Sequence, residues 1–179
     1  MLGQDFESRK FQILLFKHIF SEDSYINPDA WVYSGVKFRS AMKLDINERC
    51  FIGTDATILV PELSMGKGSQ INAGAILFGK DRVILGNNVV VGYNTVLGTA
   101  TDTPKGKYMN DASSLIDRNI RDGPIIILED CFLGANVVIM PGVTIGPRTV
   151  IGSGCYIDKN IGPNLIVHPS VQYDVRKRE

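Results

Sequence analysis

The stretch Ile127-Leu-Glu-Asp-Cys-Phe-Leu-Gly-Ala-Asn-Val-Val-Ile-Met-Pro-Gly-Val-Thr-Ile-Gly146 decides the fold. Aliphatic residues recur at every sixth position, Ile127, Leu133, Ile139 and Ile145, and the spacing continues through Ile151 and Ile157. Four residues after each comes a small or β-branched residue: Cys131, Val137, Val143, Thr149, Cys155 and Ile161. Side chains alternate faces along a strand, so the fifth residue of one repeat and the first of the next point the same way. That direction is inward. A period of six suits neither a helix nor a flat sheet, and it predicts a β-solenoid in which three repeats make one triangular coil. Gly134, Gly146, Gly152 and Asp158 follow four of the aliphatics. At a corner, Gly, Asn and Asp accept left-handed backbone at low cost, and that is the role expected of them.

Upstream the pattern is less regular. Leu85, Val91 and Leu97 share one register. Earlier come Ile46, Ile52, Met65, Ile71 and Leu77, with Cys50, Ala56, Ser69 and Ala75 at the small inward positions. The spacing slips between Ile58 and Met65 and again between Leu77 and Leu85, which predicts a bulge and a widened corner around Gly79-Lys80-Asp81. Three segments result: an N-terminal helical cap over 1–34, a β-helix domain over 35–167, and a C-terminal tail over 168–179. In the cap, Phe6, Phe11, Leu14, Leu15, His18 and Ile19 fall at helical spacing, so an amphipathic helix is expected to close the open end of the solenoid. Residues 99–123 contain no hexad. Such an excursion from a regular scaffold is expected to build a functional site.

The chain has 179 residues, enough for one domain, with 19 basic and 19 acidic side chains. No global field argues for nucleic acid or an anionic membrane. The apolar run Ile13–Phe16 is far shorter than a membrane span and is preceded by Asp5 and Glu7, unlike a secretory signal, so a cytoplasmic protein is expected. Three cysteines do not make a disulfide framework. Cys50, Cys131 and Cys155 all occupy inward positions and read as buried thiols.

In these repeats the chain resembles the hexapeptide-repeat acyltransferases, in the subgroup that acetylates sugars of bacterial cell-surface polysaccharides. The likeness is carried by residues 127–146, by Val150-Ile-Gly-Ser-Gly154 and by Lys159-Asn-Ile-Gly-Pro-Asn164, and it covers most of residues 45–167. The resemblance implies an all-β, single-stranded left-handed parallel β-helix with one long protruding loop. It further implies homotrimers that bind acetyl-CoA in grooves between neighbouring prisms, and a saccharide acceptor. No metal, nucleic-acid or membrane-spanning partner is implied. Gly134, Ala135, Gly152 and Ser153 match family positions along the pantetheine arm. Lys159 matches a lysine near the cofactor phosphates, and Phe132 stands where tryptophan is common.

One departure concerns catalysis. The family uses a histidine as general base, at or near the start of the loop and often close to an aspartate. Here the stretch reads Leu97-Gly-Thr-Ala-Thr-Asp-Thr-Pro104: Asp102 is present, and Ala100 or Thr101 occupies the histidine's place. Neither side chain accepts a proton near neutral pH. His18 and His168 are the only histidines in the sequence, one in the expected cap helix and one after the last repeat. Two cannot supply the three metal ligands of the carbonic anhydrases that share this solenoid. Three accounts of the empty position stand: an engineered replacement of the histidine at Ala100, a different base such as Asp102 or a substrate group, or a non-catalytic member. The leading expectation is an acetyl-CoA-dependent O-acetyltransferase acting on a saccharide hydroxyl. The alternatives are a non-catalytic binding or scaffold protein and an N-acetyltransferase acting on an amino sugar.

Overall fold

A computed structural model describes residues 20–108 and 117–170. The expected cap helix, His18 and the end of the C-terminal tail lie outside the described residues. Parallel strands of two to four residues wind into six three-strand coils and part of a seventh. The first coil is β1 (Tyr25–Ile26), β2 (Trp31–Val32) and β3 (Lys37–Phe38). The second is β4 (Lys43–Ile46), β5 (Phe51–Ile52) and β6 (Thr57–Leu59). The third is β7 (Glu62–Met65), β8 (Gln70–Ile71) and β9 (Ile76–Phe78), and the fourth is β10 (Val83–Leu85), β11 (Val90–Val91) and β12 (Val96–Gly98).

The long loop then intervenes, with β13 (Ala100–Asp102) and β14 (Ile120–Asp122) paired antiparallel at its base. Two more coils follow: β15 (Ile125–Ile127), β16 (Phe132–Leu133) and β17 (Val138–Ile139), then β18 (Thr144–Ile145), β19 (Val150–Ile151) and β20 (Tyr156–Ile157). β21 (Ile166–Val167) ends the solenoid. The strands stack into three sheets, here called faces. β1, β4, β7, β10, β15 and β18 form face A, while β2, β5, β8, β11, β16, β19 and β21 form face B. β3, β6, β9, β12, β17 and β20 form face C.

The axis is filled as the periodicity requires. Ile127, Leu133, Ile139, Ile145 and Ile151 are fully buried, as are Ile52, Met65, Ile71, Leu77, Val91 and Leu97 above them. The small inward residues do more than leave room. Ser69, Thr95 and Thr149 are buried, and each hydroxyl donates to a corner carbonyl one coil further on: Gly86 at 2.6 Å, Gly134 at 3.0 Å and Gly162 at 2.9 Å. The thiols of Cys50 and Cys131 copy this, donating to Gly66 and Gly146 at 3.0 Å. Each pairing satisfies a polar atom that would otherwise be costly to bury.

Two expectations need correction. The first coil begins at Tyr25, ahead of the boundary set at residue 35. Ile26, Val32 and Phe38 keep the six-residue spacing, with Ala30, Val36 and Met42 four residues after each. Asn27, Tyr33 and Arg39, not glycine, follow them, so this coil lacks the glycine that marks the later repeats. The second correction concerns the corner glycines. Left-handed backbone falls later in each corner, at Asn88, Asn94, Asp130, Asn136, Arg148 and Gly154, with φ between 54 and 75°. Gly134 and Gly146 are small for another reason: a Cβ there would lie 2.5 Å from the Ser153 nitrogen or 2.6 Å from the Pro163 nitrogen.

The two slips in spacing both fall where face C passes to face A, at Val60-Pro61 and at Gly79-Lys80-Asp81-Arg82. The long loop leaves from the same edge, between β12 and β15. No helix among the described residues is long and apolar enough to cross a membrane.

Candidate cofactor groove and acceptor loop

The edge where face B turns into face C is poor in side chains at Gly134-Ala135 and Gly152-Ser153, while Tyr93 projects from the coil before them. Gly53, Gly92, Gly134 and Gly152 each follow a face B strand there. Backbones approach so closely that a Cβ on Gly92 would sit 2.5 Å from the Gly134 carbonyl carbon. Hydrogen bonds hold the spacing: Gly134 N–H donates to Ile151 O at 2.8 Å, Gly152 N–H to Val167 O at 2.8 Å, and Gly154 N–H to Ala135 O at 2.9 Å. Beside this ridge Phe132 presents a half-exposed ring on face B, between Val90 and Val150. The structure therefore brings Phe132, Gly134, Ala135, Gly152 and Ser153 into one strip, an apolar shelf beside a narrow backbone edge. Such a strip can lie along an extended, flexible ligand.

Lys159 does not join them. It follows β20 on the other border of face C, exposed at the turn toward face A. His168 does come to the strip. It follows β21 at the face B to face C turn, with its Cα 3.8 Å from where a Gly152 Cβ would be. Lys159 and His168 meet around a cavity of about 480 Å³ at the C-terminal end, whose walls also include Cys155, Tyr156 and Ile161. The six-residue count does not reveal this: from Ile157 it leads to Pro163 and Pro169, and Val167 pairs with Ile151 only because the register shifts after β20.

The loop base occupies the opposite border of face C. Ala100 is nearly buried and faces Asp122 across the β13–β14 ribbon, while Thr101 faces Arg121. Asp102 is held by Arg118 in a two-point ion pair, Nε to Oδ1 at 2.7 Å and Nη2 to Oδ2 at 2.6 Å. The guanidinium holds the Asp102 carboxyl below its ordinary range. A carboxylate stabilised in this way is a poorer proton acceptor. Its geometry is that of a clamp joining the two ends of the loop. Further bonds anchor the base: Gly123 N–H donates to Thr99 O at 3.1 Å, and Arg121 Nη2 to Asp158 O at 3.0 Å. The Arg121 contact carries the ribbon toward the last coil, close to Lys159.

The three cysteines are buried, and burial raises the thiol pKa of each. None is poised as a nucleophile, which needs an exposed, electropositive setting.

Residues 124–159 match the family model described as bacterial transferase hexapeptide (six repeats). Galactoside O-acetyltransferase of Lactococcus lactis is 28% identical over 162 residues, covering 89% of this chain and 72% of the relative. The corresponding enzyme of Escherichia coli is 30% identical over 104 residues, 58% of this chain and 48% of the relative. The chain thus spans under half the length of the second. Among solved structures, an N-acyltransferase from Bacillus cereus in complex with dTDP and coenzyme A superposes with a TM-score of 0.63 at 18% identity, covering 83% of each chain. That likeness establishes the shared fold. In its repeats over residues 124–159 and in its fold, the chain is thus similar to the hexapeptide-repeat acyltransferases.

Proposed function

We propose that the protein transfers an acetyl group from acetyl-CoA to a saccharide hydroxyl, in cytoplasmic assembly of a cell-surface polysaccharide. The observation that carries this reading is the bare strip at Gly134, Ala135, Gly152 and Ser153 beside the Phe132 ring, which suits a pantetheine arm. The relatives named as galactoside O-acetyltransferases supply the acceptor class. Phosphates at the far end of the cofactor would meet Lys159 and His168 around the C-terminal cavity.

In the reaction, the acceptor oxygen attacks the thioester carbonyl carbon and an ester C–O bond forms. The C–S bond breaks, coenzyme A leaves, and the hydroxyl proton passes to a base or to the departing sulfur. Backbone N–H groups at the strip would polarise the thioester carbonyl. Ala100 and Thr101 supply no base, and Asp102 is engaged by Arg118. The chain binds and orients its substrates, and proton removal is left to solvent, the leaving thiolate or a substrate group.

The strip and the loop stand on opposite borders of face C within one chain. A catalytic cleft forms where the loop of one subunit meets the strip of another, and a threefold ring of such contacts closes as a homotrimer. Partly exposed Leu59, Ile76 and Phe78 on face C give such a contact apolar area.

The test incubates purified protein with acetyl-CoA and galactosides, oligosaccharides or amino sugars, and follows release of the free thiol. Slow transfer to a hydroxyl is expected, and Ala100→His or Thr101→His should raise it by roughly 10²–10⁴-fold, the usual contribution of a general base. Coenzyme A binding with no transfer in either variant would make this a non-catalytic binding protein. Transfer to amines alone would reassign the acceptor.

A further inference from the structure

A second surface, remote from the strip, carries chemistry that the transfer reaction does not use. It lies on face B at the first two coils, where Pro28, Asp29, Trp31, Tyr33, Arg49 and Phe51 line a cavity of about 400 Å³. Trp31 and Tyr33 occupy alternate positions of the chain, so both project outward. Their rings are nearly parallel, 26° apart with centroids 6.4 Å from each other. Phe51, on the next strand, meets Tyr33 edge-on at 6.1 Å. Trp31 is 41% exposed and Tyr33 49%, and with Phe51 they form an aromatic shelf along the cavity.

The scaffold holds this shelf in place. Trp31 N–H donates to Cys50 O and Tyr33 N–H to Ile52 O, both at 2.9 Å. Asp29 is set by a tight turn in which its N–H donates to Asn27 Oδ1 at 2.9 Å, while Asn27 Nδ2 donates to the Tyr25 hydroxyl at 3.1 Å. Arg49 stands at a left-handed corner with φ of 56° and is exposed. Neighbouring Glu48 is ion-paired with Lys67.

We infer that this shelf is a saccharide-binding site, separate from the reacting centre, that holds a distal part of a polymeric acceptor. Aromatic faces carry partial negative charge and attract the C–H face of a sugar ring. Asp29 offers only acceptors and Arg49 only donors, while sugar hydroxyls need both. An anionic ligand would meet Asp29 and a cationic one Arg49, so the mixed rim favours a neutral, hydroxyl-rich occupant. From β2 to β16 is four strand steps along face B, about 19 Å at the usual interstrand spacing. Shelf and Phe132 thus share one face without sharing a subsite. A glycan lying along face B could engage both.

Trp31 is the only tryptophan in the chain, so indole fluorescence reports on this shelf directly. Titration of the full chain with maltohexaose and with a neutral galactose hexasaccharide should shift the emission saturably, with or without coenzyme A. Tyr33→Ala should weaken that response at least tenfold, and Arg49→Ala should weaken it less. Unchanged circular dichroism would certify that both variants fold. The inference shares its ligand class with the proposed function but not its readout. A shift without acetyl transfer leaves the shelf standing, while transfer without any shift removes the shelf alone. The inference is overturned if neither saccharide alters the emission, if Tyr33→Ala responds like the parent, or if emission follows protein concentration instead, the mark of a second copy docking there.

Discussion

Gly134→Ala tests the stacking argument on which the groove depends. An added Cβ would lie 2.5 Å from the Ser153 nitrogen, 2.6 Å from its Oγ and 2.8 Å from its Cα. Comfortable contact needs about 3.5 Å or more, so the corner is roughly 1 Å too tight. Two of the three atoms are backbone, and no rotamer change moves them. The next coil must shift, against hydrogen bonds of 2.8 Å from Gly134 to Ile151 and 2.9 Å from Gly154 to Ala135. Overpacking of this kind costs about 1–3 kcal/mol. For a chain of this size each kcal/mol lowers Tm by about 2–4 °C. The control is Gly154, where a Cβ meets nothing within 4 Å but φ is 75°. There the cost is conformational, so Gly154→Asn should be milder than Gly154→Ala, because Asn tolerates left-handed backbone. At Gly134 the cost is volume, so Gly134→Asn should be worse than Gly134→Ala. Thermal and urea unfolding of the four variants measures this. A Gly134→Ala protein within about 0.5 kcal/mol of the parent, or Asn milder than Ala at position 134, would refute the reasoning.

Other outcomes follow from the same geometry. Leu133→Ala empties a fully buried axis position and should cost about 2–5 kcal/mol in urea unfolding, against near-neutral Lys159→Ala at an exposed corner. The Asp102 carboxyl has its pKa lowered by Arg118, so its contribution is complete above the ordinary carboxylate value and fades as pH falls through the lowered one. Proteolysis within the loop should therefore accelerate in acid, and Asp102→Asn should be cut faster at neutral pH with little further change on acidification. Cys50, Cys131 and Cys155 should ignore a thiol reagent in the native protein and react together on unfolding, because all three are buried with raised pKa values.

The solenoid was legible because its signal is repeated: one inward aliphatic every six residues, with a small partner four positions on. Ile26, Val32 and Phe38 obey the same rule, but no glycine follows any of them, so the signal of the first coil is weaker. The strip at Gly134 and Gly152 was legible through the family resemblance. The position of His168 was not legible, because the register shifts after Ile157 and the six-residue count no longer says which residues turn the corner. The Asp102–Arg118 clamp was not legible. It joins residues on either side of an irregular loop, and no periodicity relates one to the other. The aromatic shelf was missed for a related reason: Trp31 and Phe51 become neighbours only once coil length sets which residues of successive coils align.

The three edges of the prism explain why the loop stands where it does. Where face A turns into face B, a hydrogen bond joins nearly every coil to the next at the same position: Gly68 to Glu48, Asn88 to Lys67, Asp130 to Asn87, Arg148 to Glu129 and Asn164 to Pro147. The face B to face C edge has its own ladder, including Gly74 to Thr54, Asn94 to Ala73, Asn136 to Tyr93 and Gly154 to Ala135. An extra residue at either edge would break a bond on both sides and separate backbones that already touch. Among the described residues the face C to face A edge has no such regular ladder, and its connections range from Val60-Pro61 to the whole of 99–124. Insertions are cheapest there. A fixed edge suits a ligand arm that is always the same, and a variable edge suits an acceptor that differs from one relative to the next. If the chain is the acetyltransferase proposed above, its acceptor is chosen by residues 99–124, and exchanging that segment alone should change which saccharide is acetylated while coenzyme A binding stays as it was.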